Sequence, residues 1–221
     1  QAFAAGSYIV YGDQAFRNYA IDLLEAQQYP DRRRTPDGPP DPPYDLAGWT
    51  LPMQMGVNVV RMDEAFSASA QAVDSFPETT AGSVGGAADY GFALSPQTNA
   101  SATAINRLTK AGIEVQRSEA AFSANNQDFP LGTYIVRNEG RSARRQVNQI
   151  AEDLGLELTG LTKAPDVGLA QQEAVRVGLY KSWVANMDEG WTRWLLENYE
   201  FELESLSDAD IQSADLSRFD A

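Results

Sequence analysis

"YGFALSPQTNASATAINRLTKAGIEVQRS", residues 90–118, changes periodicity twice, and those changes set the fold class. "YGFALS" (90–95) is an apolar run of strand length. "TNASATAINRLTKAG" (98–112) spaces its apolar residues as a helix does, and Gly112 supplies a C-terminal stop. "IEVQRS" (113–118) alternates apolar and polar residues, the habit of a half-buried strand. Strand, helix and strand in succession predict a layered α/β fold.

The same alternation continues downstream. "FSANNQDFP" (122–130) reads as a turn with Asn125-Asn126 at its tip, and "GTYIV" (132–136) as a short buried strand. An amphipathic helix is expected over Arg141–Leu154, closed by Gly155, and "LELTGL" (156–161) is the next strand. "TKAPDVGLAQQEA" (162–174) reads as a domain boundary. A further unit follows: strand "AVRVGLYKS" (174–182), a helix, strand "FELESL" (201–206), then "SDADI" with a serine or aspartate N-cap and an acidic first turn.

An internal repeat links the start of the chain to its middle. "FAAGSYIV" (3–10) matches "FPLGTYIV" (129–136), and the same offset carries Ile21 onto Val147 and Leu24 onto Ile150. A helix over Gln14–Gln28 is expected after the first copy, so that residues 1–30 form the second half of an α/β unit whose first half lies upstream. Together with the polar helical stretch at the other end, this reads as an interior piece of a longer protein.

Residues 31–89 read as a connector with one strand. "YPDRRRTPDGPPDPPYDLAGWTLP" (29–52) is too rich in proline, glycine and aspartate for regular structure. Its run Arg32, Arg33 and Arg34 is suited to an anion, but an acid-flanked solvated loop is the better reading. "GWTLPMQMGVNVVRM" (48–62) offers Trp49 as an apolar anchor and a strand over Val57–Met62. "GSVGG" (82–86) lacks the strand, helix and lysine of a phosphate-cradling loop, and is expected to be a mobile connector leading into the module at 90–165.

Composition excludes several chemistries. The chain has 221 residues, a net charge of -14, and neither histidine nor cysteine. A surface of that sign repels nucleic acid and anionic lipid, and no run is long enough to span a membrane. Without histidine or cysteine, this chain alone builds no Ser-His-Asp triad, no histidine- or thiolate-bound zinc site, no disulfide and no cysteine nucleophile. The carboxylates Asp63-Glu64 and Asp208/Asp210 do not define a cleft, and "DADIQSAD" lacks the ligand rhythm of an EF-hand.

"LYKSWVANMDEGWTRWLLENYEF" (179–201) is the densest chemistry in the chain. Asn186 is expected to cap a helix while Glu189 reaches back to it, and Trp191, Trp194 and Leu195 share one face suited to core packing. Lys181, Ser182 and Trp183 are left at the carboxyl end of the strand, where open α/β sheets bind ligands. They are the candidate ligand-binding residues; no catalytic or metal-ligating residue is assigned.

Three blocks carry a family resemblance: "GSYIVYGDQAFRNYAIDLLEAQQYPD" (6–31), "GPPDPPYDLAGWTLPMQMGV" (38–57) and "RVGLYKSWVANMDEGWTRWLLENYEFELESLSDADI" (176–211). Together they resemble the region downstream of the catalytic core in large bacterial zinc carboxypeptidase-like proteins, leading into a class I glutamine amidotransferase-like domain. The resemblance implies an exported, periplasmic or extracellular parent with a zinc-dependent metallocarboxypeptidase domain. Residues 174–221 would then open the amidotransferase-like domain. It further implies an accessory, non-catalytic segment whose partners are the upstream peptidase domain and the downstream domain of the same protein. The family's His-x-x-Glu pair and second histidine have no counterpart here, so zinc is expected only in the parent's catalytic domain. The alternative is a small-molecule or peptide-binding α/β module with a glutamine amidotransferase-like fold, a peptide being among its possible ligands.

Overall fold

The structure, a computed structural model, describes residues 3–26, 30–42, 50–75, 81–213 and 215–221. Backbone contacts divide the chain into two units, Gln1–Phe76 and Pro77–Ala221.

In the first unit, helices α1 (Arg17–Leu24) and α2 (Leu51–Gln54) touch each other. Among its described residues only Pro52 is buried. Helix α1 is shorter than the expected Gln14–Gln28: Gln14 turns its side-chain amide back onto the Tyr11 carbonyl, and Gln27 and Gln28 lie outside the described residues, as does Trp49. The expected strands at 3–10 and Val57–Met62 do not form. A strand needs a hydrogen-bonding neighbour, and the pairing found among the described residues of this unit is an isolated bridge, Arg33 to Pro40. Tyr8, Val10, Val57 and Met62 are therefore exposed. Two residues of the arginine run lie against local acids: Arg33 pairs with Asp31 at 2.9 Å, and Arg34 lies 3.6 Å from Asp41.

The second unit is mixed α/β in layers. Its elements are β1 (Ser83–Gly85), β2 (Gly91–Leu94), α3 (Ala100–Lys110), β3 (Val115–Ser118), β4 (Phe122–Ala124), β5 (Gln127–Phe129), β6 (Tyr134–Arg137), α4 (Arg141–Leu154), β7 (Glu157–Leu161) and β8 (Leu169–Gln172). Strands β1-β7-β2-β6-β3-β8 form one sheet in that order. Its β1–β7 pair is parallel and the other pairs are antiparallel.

Period-two alternation distributes this sheet between two cores. Phe92, Leu94, Val115, Val136 and Leu158 face helices α3 and α4, meeting Ile105, Leu108, Val147 and Ala151. Ala93, Ile135 and Leu161 face the opposite way, against Phe122 and Phe129 of the β4–β5 hairpin. The hairpin turns through Asn125 and Asn126, both at positive φ, which asparagine tolerates. Asn125 Nδ2 also donates to the Gly160 carbonyl at 2.7 Å, pinning the turn to the sheet. Helix α4 ends at Gly155 with φ 65°, the left-handed cap expected from the sequence.

Two expected connectors are strands. "GSVGG" is not a mobile linker: Ser83–Gly85 is β1, and a side chain at Gly82 would overlap the backbone of Ala151 and Leu156. Gly82 thus serves close backbone approach, while Gly86 holds a positive φ of 81°. Residues 169–172 in the expected domain boundary form β8, hydrogen-bonded to β3.

Candidate functional site

The sequence continues into a small β-α-β element: β9 (Arg176–Tyr180), α5 (Met187–Asn198) and β10 (Glu202–Leu206), with β9 and β10 parallel. Helix α6 (Asp208–Ser213) and a single 3₁₀ turn (Leu216–Arg218) complete the chain. Ser207 begins α6 with a reciprocal cap, its amide and hydroxyl donating to Asp210 and its oxygen accepting from the Asp210 amide.

Local sequence explains both ends of α5. The Asn186 side chain accepts from the Asp188 amide at 2.8 Å, and Asp188 and Glu189 suit the positive end of the helix dipole. At the other end the Phe201 amide donates to the Leu196 carbonyl and the Glu200 amide to the Glu197 carbonyl, closing a Schellman turn. Glu200 holds the left-handed position of that turn, at φ 58°, where glycine is usual. Its carboxylate is gripped by Arg107 of α3 through contacts of 2.6–3.1 Å, and Asn106 Nδ2 donates to the Tyr199 carbonyl at 2.8 Å. The Arg107 hydrogen bonds hold the Glu200 carboxyl below the usual carboxylate range.

The orientation of α5 corrects the expectation that its tryptophans pack into a core. Glu189, Arg193 and Leu196 occupy the half-buried side. Glu189 does not reach back to Asn186; it accepts from Arg193, which also donates to Ser205 of β10 at 2.7 Å. Trp191 and Trp194 point outward, 64% and 58% exposed, and meet each other edge to face at 5.9 Å between centroids. Met187 and Leu195 extend the same outward stripe. The helix carries two stripes of similar spacing, and periodicity alone does not say which turns inward. The inward ion pair decided it here, a feature that the i, i+4 spacing of Glu189 and Arg193 signals in the sequence.

Lys181, Ser182 and Trp183 stand where expected, just beyond the carboxyl end of β9. They are spread along a loop. The Lys181 amide extends the strand pairing to the Leu206 carbonyl, the Ser182 hydroxyl donates to the Val184 carbonyl, and Trp183 is 95% exposed. A shallow hollow of about 290 Å³ is lined by Tyr180, Asp208, Ile211 and Gln212, and none of the three candidates is among its lining residues. Tyr180 donates its hydroxyl to Asp208 at 2.5 Å, a hydrogen bond that raises the phenol above its ordinary pKa.

The C-terminal segment runs beside β9. The Asp220 amide donates to the Arg176 carbonyl, the Gly178 amide to the Ala221 carbonyl, and the Asp220 carboxylate receives the Arg176 guanidinium and amide. Those hydrogen bonds lower the Asp220 carboxyl to about 2. Because the folded value lies below the unfolded one, this clamp contributes fully above about pH 4 and is lost as pH falls through about 2. Protection of the Asp220 and Gly178 amides, taken as the exchange rate relative to the intrinsic rate at each pH, should fall over that interval. Protection that is flat with acidification would dismiss the clamp.

Among the described residues no group of three or more metal-ligating side chains converges. The residues of this chain do not fit the zinc site that the resemblance implies for a parent protein, and none is assigned to it. Among the described residues no helix is long and apolar enough to cross a membrane. No family model matches the chain, and neither a curated protein nor a solved structure matches it.

Proposed function

We propose that this chain is a non-catalytic, architectural segment of a zinc carboxypeptidase-like protein, organising neighbouring domains or access of substrate to them. The observation that carries the reading is the outward aromatic stripe of α5: a helix that turns an ion pair inward and two tryptophans outward is built to be covered by another surface. On this reading the peptidase-type domain upstream and the amidotransferase-like domain downstream are its partners, zinc belongs to the former, and the setting is periplasmic or extracellular. The blocks at 6–31, 38–57 and 176–211 support the choice of parent by resemblance.

The purified chain, incubated with zinc and a panel of short peptides, should release no C-terminal residues and retain no stoichiometric zinc after desalting. Robust hydrolysis by the chain alone would overturn the reading.

A second reading, a peptide- or small-molecule-binding module, is favoured by the hollow at Tyr180 and Asp208, since Tyr180 directly precedes Lys181, Ser182 and Trp183 in the chain. Thermal-shift screening with peptides, amino acids and sugars separates the two. An affinity found there but unchanged in Lys181→Ala and Trp183→Ala removes the proposed contact residues.

A further inference from the structure

The stripe Met187, Trp191, Trp194 and Leu195 follows i, i+4, i+7 and i+8 spacing, the pattern by which a helix seats in an apolar groove or against a second helix. Exposed Asp188 borders one side of it and exposed Glu197 the other. Residues 181–221 hold ten carboxylates against three cations; Arg193 is paired with Glu189 and lies 3.8 Å from Glu197, which stays more than half exposed, and Arg218 is paired with Glu204. An apolar centre of tryptophan with an acidic rim complements one kind of surface.

We propose that this face of α5 docks a protein segment presenting an apolar ridge bordered by lysine or arginine. The proposal rests on the architectural reading and names the chemistry of the partner that reading requires. Charge selects the occupant. A second copy of the chain would bring Asp188 and Glu197 against like charges on a body of net charge -14, and an anionic membrane would meet the same repulsion. Basic flanks on a partner turn that penalty into attraction, steer the encounter and leave the tryptophans to supply the buried contact.

The test uses the full chain in a Trp49→Phe background, so that emission reports Trp183, Trp191 and Trp194. The probes are two synthetic amphipathic helices with the same leucine pattern, one with lysine on its polar positions and one with glutamate. The Leu/Lys peptide should shift emission to the blue and protect it from acrylamide, with affinity falling as salt rises. The Leu/Glu peptide should do neither. Trp191→Ser with Trp194→Ser, which removes the reporting side chains and is therefore followed by titration calorimetry alongside the parent, should weaken Leu/Lys binding at least about tenfold while leaving the helical circular dichroism unchanged, since both side chains are exposed. Asp188→Asn with Glu197→Gln should flatten the salt dependence.

Equal binding of the two peptides, or full affinity in the double tryptophan variant, would overturn the proposal. So would sedimentation as a dimer that Trp194→Ser abolishes, or matching protection by phosphatidylcholine vesicles; the first would give the face to a second copy, the second to a lipid surface. Peptide hydrolysis by the chain would defeat the architectural reading on separate grounds, without altering which peptide the face selects.

Discussion

Replacing Phe92 by alanine is expected to destabilise the second unit by about 3–5 kcal/mol, the usual range for truncating a fully buried aromatic side chain. Phe92 is completely buried in β2, among the sheet residues that face α3 and α4. Deletion removes its transfer free energy and leaves a void, because the neighbouring strands β6 and β7 are hydrogen-bonded to β2 on both sides and resist collapse. Urea unfolding followed by circular dichroism reads the effect. The same measurement on Leu131→Ala, at a position 64% exposed, should stay within about 0.5 kcal/mol of the parent. Comparable losses at both sites would mean that Phe92 is not the core residue described above.

The second large effect is expected at Gly160, where valine should cost about 3 kcal/mol, the upper part of the range for overpacking. A Cβ there would lie 2.6 Å from the Ala87 carbonyl oxygen, 2.9 Å from its carbon and 2.9 Å from the Gly86 oxygen. These are backbone atoms and do not step aside as a flexible side chain does. Gly160 is also paired with Phe92 across the β2–β7 ladder and accepts the Asn125 hydrogen bond. The displacement would therefore reach both the sheet and the hairpin turn. Loss of protection at the hairpin amides, measured with the stability, distinguishes this mechanism from a simple loss of strand propensity. A Gly160→Val chain with parental stability would refute the close approach of residues 86–87.

Where a periodicity has one interpretation, sequence and structure coincide. Helix α4 occupies Arg141–Leu154 as expected, because Val147 and Ala151 leave a single inward face and Gly155 supplies its stop. Strands β2, β3, β7, β9 and β10 fall inside the segments that alternate or run apolar, and β6 overruns its segment by one residue, Arg137. What was not legible depends on partners. "FAAGSYIV" and "FPLGTYIV" are near copies, yet the second lies between β2 and β3 while the first has no neighbouring strand among the described residues. Conversely, "GSVGG" and "LAQQ" lack a strand's composition and become strands because β7 and β3 offer them a free edge. The candidate site shows the same division. Its helix, cap, acidic first turn and the i, i+4 spacing of Glu189 and Arg193 were readable from local rules, whereas the direction of its tryptophans also depended on Arg193 reaching Ser205 of β10, a contact between elements.

Glu200 gives that direction a reference frame. Its left-handed backbone costs about 1 kcal/mol more than glycine would, and its carboxylate is held by Arg107 on the helix that covers the six-stranded sheet. The far end of α5 is thus braced against a rigid layer, while its aromatic side stands proud. On the proposed reading, a partner seated on those tryptophans would meet a helix whose C-terminal turn is tied to α3 through Arg107 and Asn106, and would take its orientation from that tie.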